Sequence, residues 1–135
     1  MFALIIAYIA TAVAMAVLDA IWLTIMANIV YRPVIGDMML DGFRVGPAVV
    51  FYLLYVVGAV YFAVRPALAA GAWSTALLNG ALFGFFAYMT YDLTNQATLR
   101  NWSTTLSATD IAWGTLLTAV AATAGYAAAA RFGGA

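Results

Sequence analysis

Apolar stretches, each about as long as one membrane crossing, alternate along the chain with shorter segments that hold most of the charges. A helix rises about 1.5 Å per residue and the hydrocarbon layer is roughly 30 Å thick, so about 20 apolar residues make one crossing. The pattern therefore predicts an all-α, polytopic integral membrane protein, with four transmembrane helices in one antiparallel bundle. The predicted helices cover approximately residues 3–27, 45–64, 73–95 and 107–130, and residues 1–135 form a single domain.

Composition supports a membrane location and excludes several kinds of chemistry. Of 135 residues, 67% are hydrophobic and 7% are charged, which lies outside the usual range of soluble domains. Five arginines balance five aspartates, so no net positive charge attracts nucleic acid, and we predict no nucleic-acid partner. The chain has no Cys, His, Lys or Glu, which excludes disulfides, thiolate or imidazole metal sites and histidine-based catalysis.

The connections between the helices contain the strongest helix-breaking signals. The segment "YRPVIGDMMLDGFR" at residues 31–44 contains a proline, two glycines and four charges, and it is predicted to be an interfacial loop. "RPALAAGA" at residues 65–72 is predicted to be a short turn. Aromatic residues near helix ends, including Tyr31, Trp73 and Trp102, are predicted to anchor the protein at the membrane interfaces.

Three aspartates interrupt the apolar stretches, and the topology places all of them in one half of the membrane. Four crossings put the first and third connections on the same face, which we name side B. Asp19, Asp92 and Asp110 each lie toward that face. A carboxylate at a helix centre costs roughly 2.5–3.5 kcal/mol on insertion scales. We therefore expect the three side chains to point into the bundle and to form the acidic part of a polar pocket.

Neighbouring polar and aromatic residues extend this candidate pocket. Tyr88, Tyr91, Asp92 and Asn95 follow i, i+3, i+4, i+7 spacing and share one helix face. Asp19 and Asp110 each begin an Asp-x-x-Trp sequence, "DAIWL" and "DIAWG", and the second helix adds two tyrosines. The candidate binding residues are Asp19, Trp22, Tyr52, Tyr55, Tyr88, Tyr91, Asp92, Asn95, Asp110 and Trp113. Gly80 and Gly84, in "GALFG", predict close helix packing.

Several of these sequence segments resemble those of a family of bacterial integral-membrane proteins called domain of unknown function 2177. The resemblance covers essentially the whole chain. It is carried by "LDAIWL", "FYLLYVVG", "GALFGFFAYMTYDLTNQATLRNW" and "TDIAWG". It implies a four-helix, multi-pass protein of the bacterial inner membrane, and it implies no particular activity.

Three functional hypotheses remain open at this point. In the first, the polar residues only fix helix register in a structural or accessory subunit of a membrane assembly, either a homo-oligomer or a larger complex surrounded by membrane lipids. In the second, the protein is a small proton-coupled or cation-binding transporter that uses the three aspartates and the aromatic faces. The third hypothesis is a membrane-lipid-modifying enzyme, in which Asp92 or Asp110 acts as a base, Arg100 holds a phosphate, or carboxylates with Asn95 hold Mg²⁺. No recognised motif assigns a catalytic residue or a cofactor.

Overall fold

The computed structural model describes residues 1–134, and within them it shows four helices and no strand. The all-α prediction is confirmed. The helices are α1 (Phe2–Met38), α2 (Val45–Ala70), α3 (Trp73–Thr98) and α4 (Thr104–Phe132). Short connections at residues 39–44, 71–72 and 99–103 join consecutive helices into one bundle. The first and third of these connections mark side B.

Three of the helices, α1, α2 and α4, are long and apolar enough to cross a membrane. Helix α3 has 26 residues, the length of a crossing, but its second half is rich in polar side chains and it is less apolar than the others. The outer surface is apolar as well: α1 exposes about half of each side chain in a row that includes Ile5, Ile9, Val13 and Val17. Such a continuous apolar face is compatible with a hydrocarbon solvent rather than with water.

Helix α1 continues well past its predicted end at residue 27. A π-helical segment, Ala27–Tyr31, widens the helix just before Arg32 and Pro33, so that the Arg32 N–H bonds to the Ala27 carbonyl five residues back. This wider turn allows the chain to pass a proline, which lacks an N–H and normally clashes with the preceding turn. The predicted loop at residues 31–44 is therefore wrong in its first half, because only residues 39–44 are non-helical.

Helix α2 passes its own Arg-Pro pair in the same way. The π-helical segment Val60–Val64 precedes Arg65 and Pro66, and the helix ends only at Ala70. Gly71 then adopts a left-handed conformation, with φ of 65°, which glycine tolerates without steric cost. The predicted turn at residues 65–72 is therefore wrong up to residue 70. Both predictions are wrong for the same reason, because each proline was taken as the end of a helix but lies inside one.

Helix α4 lies centrally and packs most extensively against α3 and α1. Glycines permit this close approach. A Cβ atom placed on Gly80 would lie 2.8 Å from the Thr118 carbonyl oxygen, and one on Gly84 would lie 2.7 Å from the Thr118 hydroxyl oxygen. On the opposite side, a Cβ atom on Gly125 would lie 3.0 Å from the Ala7 carbonyl oxygen. The predicted close contact through Gly80 and Gly84 is confirmed.

Candidate functional site

A cavity of about 440 Å³ lies between the helices toward side B, and all four helices contribute to it. We call it the side B cavity. Its wall is mainly apolar and aromatic, with two carboxyl groups, those of Asp19 and Asp110. The full set of lining residues is Asp19, Leu23, Tyr31, Ile35, Phe51, Tyr55, Ala87, Tyr88, Tyr91, Trp102 and Asp110.

Asp19 links three helices through its carboxyl group. The Tyr52 hydroxyl of α2 donates a hydrogen bond to Oδ2, and the Trp113 indole N–H of α4 donates to Oδ1 at 3.2 Å. Both donors are neutral, and together they fix the position of the Asp19 carboxyl group at the cavity wall.

Asp110 has a similar partner on α1. The Tyr31 hydroxyl donates to Asp110 Oδ1 at 2.5 Å and accepts a hydrogen bond of 2.9 Å from the Trp22 indole N–H. Trp22 in turn stacks on Trp113, with ring centroids 4.4 Å apart and planes 4° from parallel. The two Asp-x-x-Trp sequences therefore interlock. Trp113 bonds to the aspartate of α1 directly, whereas Trp22 reaches the aspartate of α4 through Tyr31.

Asp92 has a different environment from the other two aspartates. Its side chain is fully buried, with 0% exposure, and among residues 1–134 neither carboxyl oxygen has a hydrogen-bond partner. Asp110 is the ionisable neighbour that acts on the Asp92 carboxyl group. The Ser107 hydroxyl, held by the Trp102 indole N–H at 3.0 Å, donates to the backbone carbonyl of Asp92 rather than to its side chain. Asp92 does not line the cavity and lies behind its wall.

The remaining predicted residues lie at the wall, at its rim or outside it. Tyr55 shares a 2.8 Å hydrogen bond with Thr118 and packs edge to face against Tyr88, with ring centroids 6.3 Å apart. Tyr91 is 56% exposed and lies against Trp102. Asn95 is only partly buried and does not reach the wall.

The structure brings together most of the ten candidate residues, although not all in the same position. Five line the side B cavity: Asp19, Tyr55, Tyr88, Tyr91 and Asp110. Tyr52, Trp113 and Trp22 stand behind the wall and hold the aspartates directly or through Tyr31. Asp92 is buried behind Asp110, and Asn95 lies outside the group.

Two wall residues, Tyr31 and Trp102, were predicted only as interface anchors, and the structure places both in the wall of the side B cavity. Tyr31 was missed because the first helix was expected to end before it. The four-residue spacings of Asp19 to Leu23 and of Tyr31 to Ile35 become a signal only when that helix is known to continue.

Metal ligands are sparse in this arrangement. Within residues 1–134, no three carboxylate, imidazole or thiolate side chains lie together as a metal site. Asp92 and Asp110 form one neighbouring pair, while Asp19 is bonded separately to Tyr52 and Trp113.

Comparison with known proteins gives one finding. A family model described as "Predicted membrane protein (DUF2177)" matches residues 4–127. The matched region contains every residue of the side B cavity wall. The comparisons with curated proteins and with solved structures gave no match.

Proposed function

Because the chain belongs to the DUF2177 family of predicted membrane proteins and its helices enclose an acidic, aromatic cavity, we propose that it binds hydrophobic organic cations within the membrane. This is the cation-binding class among the three hypotheses drawn from the sequence. The proposed location is the bacterial inner membrane, where the protein is multi-pass.

The carboxyl groups of Asp19 and Asp110 on an otherwise apolar and aromatic wall carry the proposal. A carboxylate next to ring faces attracts a poorly hydrated cation by charge and by cation–π contact, while the apolar surface holds the ligand's hydrocarbon part. The volume of about 440 Å³ lies in the range of small-molecule sites. A strongly hydrated inorganic ion gains little from such a wall, and an anion is repelled by it.

A structural or accessory role is the second candidate, and the hydrogen bonds of the same residues favour it. Asp19 joins α1 to α2 and α4, and the bond from Tyr31 to Asp110 joins α1 to α4 again. Such bonds between membrane helices fix their register. In this reading the protein is a subunit of a homo-oligomer or of a larger membrane assembly. The lipid-modifying enzyme has no comparable supporting observation.

Binding of tetraphenylphosphonium to the purified protein in lipid nanodiscs tests the proposal. We expect saturable binding by the wild type and a loss of affinity of about tenfold or more in Asp19→Asn, because the substitution removes a charge next to the ligand. Equilibrium dialysis with labelled cation measures both. The matched control is Asp41→Asn, which removes an exposed carboxylate from the connection between α1 and α2 and should bind normally.

Two results would contradict the proposal: no saturable binding by the wild type, or unchanged affinity in both Asp19→Asn and Asp110→Asn. If either result came with a clear loss of thermal stability in those variants, the two aspartates would have only a structural role in the bundle. The structural candidate would then replace the binding role.

A further inference from the structure

Asp110, in the wall of the side B cavity, and Asp92, behind that wall, place two carboxyl groups next to each other inside the bundle. We propose that this pair is a proton-binding site, and that its proton is released when a cation occupies the cavity. The proton site stands on its own geometry. Its coupling to the cavity rests on the proposed function.

The burial of Asp92 leaves its carboxyl group without hydrogen-bond partners. Asp92 is fully buried, and neither of its oxygens accepts a hydrogen bond from residues 1–134. A buried carboxylate without donors or a counter-ion is strongly unfavourable, whereas a protonated carboxyl group is neutral and can itself donate. The unpartnered oxygens therefore mark a position that a proton stabilises.

The ionisable groups around Asp92 also favour a bound proton. They are Asp110 on α4, Tyr31 on α1 and Tyr91 on α3 itself. None of these three side chains carries a positive charge that would stabilise an ionised Asp92. A second carboxyl group nearby opposes ionisation of both, and one proton shared between two carboxyl groups removes that repulsion.

A proton fits these residues better than a small metal ion. The side-chain oxygen Oε1 of Gln96, one helical turn beyond Asp92, is also buried without a hydrogen-bond partner. The Gln96 amide nitrogen is engaged in a 2.8 Å bond to the Thr104 hydroxyl, which orients the side chain. Na⁺ and Mg²⁺ need several oxygens arranged around one point, and no cluster of three carboxylates exists in residues 1–134. A proton needs only one oxygen of the pair.

Asp110 connects the proton site to the cavity, because it faces Asp92 and also lines the wall. With one shared proton the pair carries one negative charge, and without it the pair carries two. A cation in the cavity is held more tightly by the second state, so its arrival favours proton release. The linkage is reciprocal: raising the pH through the titration of the pair should tighten cation binding, by up to about tenfold per pH unit.

Infrared spectroscopy of the ligand-free protein tests the proton site without reference to any ligand. We expect the carbonyl stretch of a protonated carboxyl group in the wild type, fading as the pH rises. The band should be absent from Asp92→Asn and retained in Asp41→Asn. Asn has nearly the shape of a protonated Asp, so the bundle should stay folded, and Asp110→Asn provides a second variant in which the pair is broken.

Tetraphenylphosphonium binding in weakly buffered nanodiscs tests the coupling. The wild type should release on the order of one proton per bound cation at a pH where the infrared band is present. Asp92→Asn should still bind the cation, but with no proton release and with an affinity that no longer changes with pH. A pH-indicator dye and equilibrium dialysis measure these quantities on the same samples.

The outcomes separate the two proposals. Cation binding without proton release, and with the same pH dependence in Asp92→Asn, would overturn the coupling and leave the binding function standing. An infrared band that is missing from the wild type, or that disappears on adding Na⁺ or Mg²⁺ at constant pH, would overturn the proton site. A titrating band without any cation binding would remove the proposed function and leave the proton site.

Discussion

At the scale of single residues, Tyr31 has the most consequential position in the site. Its hydroxyl donates to Asp110, accepts from Trp22 and lines the side B cavity at the same time. One of the links between the two Asp-x-x-Trp sequences depends on this oxygen atom, because Trp22 reaches Asp110 only through it. Position 31 therefore contributes to the stability of the bundle as well as to the shape of the wall.

Replacing Tyr31 with Phe should lower the stability of the bundle by about 1–3 kcal/mol, because the change leaves the Trp22 N–H and Asp110 Oδ1 without their partner. Unfolding in mixed micelles, followed by circular dichroism, measures the difference. Tyr61→Phe is the matched control, since Tyr61 is exposed on α2 and makes no hydrogen bond through its hydroxyl in residues 1–134. Equal stability of both variants would show that the Tyr31 bonds contribute nothing.

At the scale of the elements, the number and approximate positions of the helices could be predicted from hydropathy and crossing length alone. The ends of α1 and α2 could not. A proline normally stops a helix, and only the π-helical segments before Arg32 and Arg65 allow both helices to continue. This error carried over to the site, because a loop at residue 31 concealed the role of Tyr31. The inward orientation of the aspartate side chains could be predicted, because exposing a charge to lipid is costly wherever the helix ends.

Packing between α3 and α4 gives a prediction at the same scale. Gly84→Ala should destabilise the bundle by about 1–3 kcal/mol, since the added methyl group would overlap the Gly114 carbonyl and the Thr118 side chain. Gly46→Ala, in the first turn of α2, is the control, because its methyl group meets nothing within 4 Å. Denaturation by detergent, measured side by side, should separate the two variants. A neutral Gly84→Ala would mean that the helices lie further apart than described.

At the scale of the whole molecule, the bundle exposes large apolar side chains on its outer surface and buries the carboxyl groups of Asp92 and Asp110. Exposed apolar side chains of all four helices form the lipid-facing surface, whereas Asp92 and Asp110 are buried at 0% and 7% exposure. The carboxyl group of α3 is thus tolerated because it is buried next to α4, whereas Thr90, Tyr91 and Thr94 of α3 stay exposed. The site and the fold are therefore linked, because the helix that contributes the buried Asp92 is also the least apolar of the four.

Helix α3 should therefore depend on its neighbour during biosynthesis. A translocon that tests segments singly would reject α3 more often than α1, α2 or α4, whereas α3 and α4 together form a hairpin that buries Asp92 before it meets lipid. Glycosylation mapping of fusions ending after α3 or after α4 would show this. We expect poor integration of the shorter fusion, rescued by the longer one and equally by Asp92→Leu; full integration of α3 alone would contradict assisted entry.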